Sequence, residues 1–321
     1  MNYMATDSIG GYLGLDRYCL PMLHEEALPL NCGRNCLAYI IRARKIKKIA
    51  LPLYLCDSVK DTCMKEGVDI CYYNIDERFR PVNLKADEWL YLVNYYGQFS
   101  TSDIEKYYRT YGKIIVDNAQ SYFTEPVQGV DTLYTCRKFF GVTDGAFLYT
   151  DVELNEEIKL DESYNRMLFV YGRYERPASE FYDMYVRNNE LFNTEPIKQM
   201  SRLTTNLLHG IEYEVVKNKR TYNYNYLHKN LKNINKLQLK EIEGAFAYPL
   251  LVDNGAEIRK QLISEKIYIP MLWPNVLEDV EPESLEYRYA ENILPLPCDQ
   301  RYGENEMKRI CDLLEKVVIK R

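Results

Sequence analysis

Between residues 33 and 150 the apolar positions switch repeatedly between two spacings. Over 37–48 they recur every three to four residues, as on one face of a helix; 49–55 is a short continuous apolar run of strand length. Helical period returns over 58–66, and 69–74 again reads as a strand. The alternation continues through 89–96 (strand), 102–111 (helix) and 113–119 (strand), with only a few residues between elements. Strands separated by helices of this length need crossover connections, and right-handed crossovers build a largely parallel sheet. In such sheets ligands collect at the carboxyl ends of the strands.

The pattern changes after 150. Residues 154–235 are charged, rich in tyrosine and helical in period. The clearest stretch is 200–226, with Leu203, Leu207, Leu208, Ile211 and Val215 on one side, so a long linking helix is expected. Near 240 a second unit begins. Residues 245–252 read as a strand, 254–265 as a helix and 267–269 as a strand. After a loop holding Pro270, Pro274 and Pro282, Ile293-Leu294-Pro295-Leu296-Pro297 leads into a final helix over 305–318. The expected division is a large α/β domain over 1–235 and a small α+β domain over 236–321.

Composition narrows the class without adding chemistry. With 46% hydrophobic and 27% charged residues in 321, a soluble globular chain is expected. The net charge of -6 leaves no basic footprint for nucleic acid, and the basic run 42–48 reads as a solvated helix face. No stretch approaches the roughly 18 to 20 apolar residues of a membrane span, and residues 1–10 lack the regions of a signal peptide, so a cytoplasmic location without membrane contact is expected. Nine cysteines without a C-x-x-C pair and three scattered histidines argue against zinc or a disulfide framework; no metal is expected.

The chemistry concentrates at two strand ends. Lys113-Ile114-Ile115-Val116-Asp117 is a β-branched run delivering a carboxylate at its C-terminal edge. Leu133-Tyr134-Thr135-Cys136-Arg137-Lys138 reads as a second strand ending in a hydroxyl and two cations, twenty-one residues after the acid. An acid and an amine leaving neighbouring strand ends are the pair a pyridoxal phosphate (PLP) site needs. An aspartate keeps the pyridine nitrogen protonated so that the ring accepts carbanion charge, and a lysine holds the cofactor aldehyde as a Schiff base.

Several further segments, in order and in register, give the chain a resemblance to the DegT-type sugar aminotransferases, a branch of the fold-type I PLP-dependent transferases. Cys32-Gly33-Arg34-Asn35-Cys36-Leu37 stands where that family has Ser-Gly-Thr-x-Ala-Leu at a helix start. Ile49-Ala50-Leu51-Pro52 resembles its strand ending in Val-Pro, and Asn94-Tyr95-Tyr96-Gly97-Gln98 its His-Leu-Tyr-Gly-Gln. Val116-Asp117-Asn118-Ala119-Gln120 resembles its Glu-Asp-Ala-Ala-Gln, and Arg137-Lys138-Phe139-Phe140-Gly141 occupies its lysine segment. The likeness continues through Tyr248-Pro249-Leu250-Leu251-Val252, Pro270-Met271-Leu272-Trp273-Pro274 and Leu294-Pro295-Leu296-Pro297.

The resemblance implies a fold-type I architecture, a mostly parallel central sheet flanked by helices with a small C-terminal domain, and a homodimer. It implies that Lys138 is catalytic, that Asp117 meets the pyridine nitrogen and Gln120 the ring hydroxyl oxygen. Gly33, Arg34 and Asn35 at the helix start, with the Thr135 hydroxyl, would hold the phosphate. Cys32 and Arg34 replace the family's Ser and Thr, so a guanidinium stands in for hydroxyl contacts. Cys56 falls near the place of the ring-stacking aromatic, with Tyr54 and Tyr95 as substitutes. The implied reaction moves an amino group from an amino acid such as glutamate to a keto sugar nucleotide, in polysaccharide or glycoconjugate biosynthesis. The alternatives on this scaffold are a PLP-dependent lyase or dehydratase and a non-catalytic binding protein.

Overall fold

A computed structural model of the chain describes residues 9–84 and 89–319; most of the N-terminal segment read for targeting signals lies outside them. Eight strands form one sheet. They are β1 (Leu28–Leu30), β2 (Lys48–Pro52), β3 (Asp69–Ile75), β4 (Pro81–Val82), β5 (Trp89–Val93), β6 (Ile114–Asp117), β7 (Asp131–Thr135) and β8 (Ala146–Tyr149), in the order β1-β8-β7-β6-β5-β2-β3-β4. The five central strands β3, β2, β5, β6 and β7 run parallel, and β8, β1 and β4 pair antiparallel with their neighbours. Leu90 to Val93 and Ile114 to Val116 are buried, which is why these strands read as unbroken apolar runs rather than alternations.

Helices α1 (Gly33–Arg44), α2 (Asp57–Lys65) and α3 (Thr101–Tyr111) make the crossovers. Helix α1 stops at Lys45, which takes a left-handed conformation with φ 54° and returns its N–H to the Arg42 and Ile41 carbonyls. Helix α3 opens on a capping box between Ser100 and Asp103 and closes at Gly112.

Beyond β8 the chain forms α4 (Leu168–Tyr171), α5 (Tyr182–Leu191), α6 (Arg202–Leu208) and α7 (Tyr213–Leu231). The single linking helix expected over 200–226 is therefore two. The chain turns at His209 and Gly210, so Leu208 is buried while Val215 faces solvent. The C-terminal part comprises β9 (Tyr248–Leu251), α8 (Gly255–Ser264), α9 (Val276–Asp279), α10 (Leu285–Asn292), β10 (Ile293–Leu296) and α11 (Glu304–Leu314). Its β9 and β10 pair antiparallel over a separate core that draws Tyr224, Leu227 and Leu231 from α7, Leu262 from α8 and Met307, Ile310 and Leu314 from α11. Residues 267–269 are not a strand: the Ile267 N–H bonds back to the Leu262 carbonyl, which makes them the exit turn of α8.

Candidate active site

Strand register places the site. Asp117 pairs with Leu133, Leu133 with Leu148 and Leu148 with Leu28, while Thr135 and Leu30 both pair with Ala146. Because β1 and β7 both run antiparallel to β8, they are parallel to each other and end at one edge of the sheet, together with β6. Cross-strand partners share a face, so Asp117, Leu133 and Thr135 lie on the same side. That side is covered by α1, for Leu133 reaches within 3.7 Å of where a side chain on Gly33 would begin.

Asp117 is buried and fully engaged. Its Oδ1 accepts the Ala119 N–H at 2.8 Å, and its Oδ2 accepts the hydroxyl of Tyr91, on neighbouring β5, at 2.8 Å. Burial and the adjacent carboxylate push the Tyr91 phenol well above its ordinary range, so the hydroxyl remains a donor to the acid. Tyr91 was not singled out in the sequence, where it is one more apolar position of β5.

The start of α1 is fixed by Asn31. This fully buried side chain donates to the Pro196 carbonyl and accepts from Asn35, its N–H bonds the Lys198 carbonyl, and its own carbonyl accepts the Gly145 N–H at 2.7 Å. Gly145 has φ 111°, and a Cβ there would meet Thr204 at 3.0 Å and Cys136 at 3.2 Å, so only glycine fits this junction. No side-chain oxygen caps α1; the Arg34 N–H points to the Cys32 thiol, a weak acceptor, and the Gly33 N–H has no acceptor among the described residues. The Thr135 hydroxyl likewise has no hydrogen-bond partner among the described residues. These donors leave the helix with its positive end open.

Arg137 stands beside that open end. Its guanidinium lies over the Phe192 ring, 4.7 Å from the centroid, and makes no hydrogen bond or ion pair among the described residues. Burial draws its pKa down; the Cys32 thiol partly offsets this, and the nearby Arg34 guanidinium adds to it. Arg34, in contrast, is occupied, donating to Asn193 Oδ1 at 2.7 Å and to the Asn189 carbonyl at the end of α5. The uncommitted cation at the helix start is thus Arg137, which in the sequence is only the residue before Lys138.

The strand expected to run through Lys138 ends at Thr135. Cys136 begins a turn in which the Phe139 and Phe140 N–H groups both bond the Cys136 carbonyl. In that turn successive side chains part: Arg137 lies against Phe192, whereas Lys138 is exposed, with its ammonium 5.6 Å from the centroid of Phe246. Lys138 also makes no hydrogen bond or ion pair among the described residues.

The remaining candidates divide. Gln120 is buried, and its Oε1 accepts the Tyr96 N–H at 2.9 Å, which leaves its amide NH2 for a ligand. Asn35 commits its amide NH2 to Asn31 and the Pro196 carbonyl, so its side chain ties α1 to the chain before α6. Tyr95 is not a ring-stacking residue: one face lies on Tyr54 at 5.4 Å and the other on Phe79 at 5.3 Å, and its hydroxyl donates to the Tyr54 carbonyl. Tyr54 is closed off by Tyr95, Trp273 and Tyr289, so both tyrosines belong to the core. Cys56 lines a cavity of about 160 Å³ with Lys60, Tyr72, Asn275 and Asp279; that cavity includes neither Asp117 nor Lys138.

Solved structures share this fold, which is that of the fold-type I PLP-dependent transferases. Within it, the chain is similar to the DegT DnrJ EryC1 StrS aminotransferase from Brucella abortus, with 14% identity over 91% of this chain and 85% of that one and a TM-score of 0.61. The sugar aminotransferase CalS13 from Micromonospora echinospora shares 13% identity over 90% and 87%, with a TM-score of 0.60. NtdA from Bacillus subtilis, with bound cofactor PMP, shares 14% over 92% and 73%, with a TM-score of 0.66. No protein-family profile matches the sequence, and no curated protein matches it.

Proposed function

We propose that the chain is a PLP-dependent aminotransferase that moves an amino group from an amino acid such as glutamate to a keto sugar nucleotide, in polysaccharide or glycoconjugate biosynthesis. The observation that carries this reading is the convergence, at the ends of three strands, of a braced carboxylate with three kinds of uncommitted donor. Asp117 is held at the end of β6, while the Gly33 N–H at the start of α1, the Thr135 hydroxyl and the Arg137 guanidinium have no acceptor among the described residues. Unpaired donors around an enclosed guanidinium are costly unless an anion completes them, and a phosphate monoester supplies several acceptor oxygens. The residues therefore fit the cofactor's phosphate, with Arg137 added to Gly33, Arg34 and Thr135 as its holder.

When bound, PLP supplies an electron sink conjugated to the reacting carbon. Asp117 would accept the hydrogen bond of the protonated ring nitrogen, with Tyr91 and Ala119 keeping its carboxylate in place. The Gln120 amide NH2 would serve the ring hydroxyl oxygen. Lys138, whose amine rests on the Phe246 ring and makes no hydrogen bond or ion pair among the described residues, would hold the cofactor aldehyde and serve as the base that moves the proton. The similarity to CalS13, a sugar aminotransferase, and to NtdA, solved with PMP, supports the same assignment.

Two further expectations belong to this reading. Tyr164, Leu168, Tyr174 and Tyr182 expose large apolar surface on the α4–α5 side, which supports a homodimer in which a second copy covers them. All nine cysteines are free thiols, which suits a reducing cytoplasm, and no helix among the described residues is long and apolar enough to cross a membrane. The deciding experiment is spectroscopic. Purified protein given PLP should develop visible absorbance, lose it on adding glutamate and regain it with a keto sugar nucleotide. Absence of any band, or an unchanged band in Lys138→Ala, would reject the enzyme.

A further inference from the structure

The turn that carries Lys138 is held from outside by one buried guanidinium. Arg220, in the middle of α7, is almost completely buried and pairs with no carboxylate among the described residues. Its Nη2 donates to the Phe139 carbonyl at 3.2 Å, its Nη1 to the Ala245 carbonyl at 2.8 Å and its Nε to Gln300 Oε1 at 2.7 Å. Gln300 in turn donates its Nε2 to the same Phe139 carbonyl at 2.7 Å. The guanidinium also lies over the Phe139 ring, 4.5 Å from its centroid. Next to Arg220, the Thr221 hydroxyl accepts the Gly244 N–H at 2.9 Å, so α7 grips two consecutive residues just before Phe246.

These contacts act on both sides of Lys138. The preceding residues are closed by the Cys136 carbonyl, which receives the Phe139 and Phe140 N–H groups. The following peptide is pinned by two donors on the Phe139 carbonyl, so the backbone at 138 sits between fixed points. The ring against which its ammonium rests, Phe246, is set by the Arg220 bond to Ala245. Asp299 attracts this guanidinium without forming an ion pair with it, so its burial is only partly compensated, and an apolar side chain of similar volume would fill this space at lower cost. What only the planar fork provides is simultaneous reach to three acceptors in fixed directions.

We propose that Arg220 and Gln300 are positioning residues for the reaction inferred above, acting through the Phe139 carbonyl to aim the amine of Lys138. The inference rests on the assignment of Lys138 as the residue that holds PLP. Gln300→Ala is the primary test, because Gln300 is partly exposed and its loss leaves the core intact; Arg220→Lys, which keeps the charge and loses the fork, is the second. Three quantities are measured in each. They are the rate at which PLP becomes attached to Lys138, read by borohydride trapping and peptide mass; the affinity for pyridoxine phosphate, which has no aldehyde to attach; and Tm.

In Gln300→Ala, attachment should slow by about tenfold or more while pyridoxine phosphate binds as in the parent protein, and Arg220→Lys should slow it further. Unchanged attachment in Gln300→Ala would overturn the proposal, as would an equal fall in attachment and pyridoxine phosphate affinity, which marks general loosening. If the parent protein binds pyridoxine phosphate yet attaches no PLP at Lys138, the functional reading itself fails, and the positioning role with it.

Discussion

Asp117 and Arg137 leave neighbouring strands at the same edge of the sheet, yet their surroundings are opposite. Both oxygens of Asp117 are already bonded, by Ala119 and Tyr91, whereas the β7 turn presents a hydroxyl, a guanidinium and an amine with no hydrogen-bond acceptor among the described residues. The acid end is complete without a ligand. The other end has donors in excess, and an enclosed, unpaired guanidinium is stable only against a gain made elsewhere. The contrast separates groups held in readiness by the fold from groups left open for what they bind. Substitutions at the two ends should therefore differ in whether stability or function suffers.

The largest effect should come from Lys138→Ala. Turnover should fall by about 10³-fold or more, because in the proposed reaction the side chain is both the attachment point and the proton carrier. Since the residue is exposed and its amine makes no hydrogen bond or ion pair among the described residues, Tm should be nearly unchanged. A calorimetric scan beside a turnover assay checks both halves; a large drop in Tm would place Lys138 with the framework.

Next in size is a property of the sheet's opposite face, which must be known before any pH profile of the site is read. His24 is buried against Tyr134, stacked at 4.1 Å, with Nδ1 at the Tyr149 hydroxyl and Nε2 at the Tyr122 carbonyl. Burial lowers its pKa from 6.5 to about 4, against a smaller opposing pull from the Tyr122 carbonyl. The unfolded chain takes up this proton below pH 6.5, and the folded one refuses it until about pH 4. The contribution is therefore whole above the first value and lost as pH falls through the second, amounting to about 3 kcal/mol. Urea titrations between pH 7 and 4 should show this slope, and His24→Phe should flatten it.

Arg137→Met tests the open end directly. Charged hydrogen bonds to a phosphate are worth about 1.5–3 kcal/mol, so PLP affinity should weaken about 10- to 100-fold. The apoprotein should gain Tm, because a half-buried charge with no ion-pair partner among the described residues has been removed. Opposite signs in the binding titration and the melting curve are the expected result; a loss in both would mean that Arg137 has a structural partner.

How much of this was legible in the sequence follows from where each group sits. Asp117 ends a buried strand, and a carboxylate closing a β-branched run needs no tertiary information to stand out. The parallel core was readable for the same reason, since its strands are unbroken apolar runs. Arg137 and Lys138 were joined to a strand because turns that break after a threonine carry no periodicity, and nothing local says that the two cations part. Tyr54 follows β2 in irregular chain and Tyr95 opens a short 3-10 turn after β5, and only packing by Phe79, Trp273 and Tyr289 decides that their faces are covered. Asn31, Arg220 and Gln300 act across 75 residues or more, or on backbone carbonyls, which no spacing rule reports.

The smallest expected effect sharpens the acid end. Tyr91→Phe removes one hydroxyl and keeps the ring, so β5 packing is preserved and no cavity opens. Asp117 then loses the donor on Oδ2 while the Ala119 N–H stays on Oδ1. Leaving one oxygen of a buried carboxylate short of a partner should cost about 1 kcal/mol of apoprotein stability. With PLP present the ring nitrogen's proton offers Oδ2 a replacement donor, so the deficit should shrink, and added PLP should raise Tm more in the variant than in the parent. Equal shifts in the two proteins would show that the carboxylate does not reach the cofactor, and Asp117 would then be a strand-end brace like Asn31.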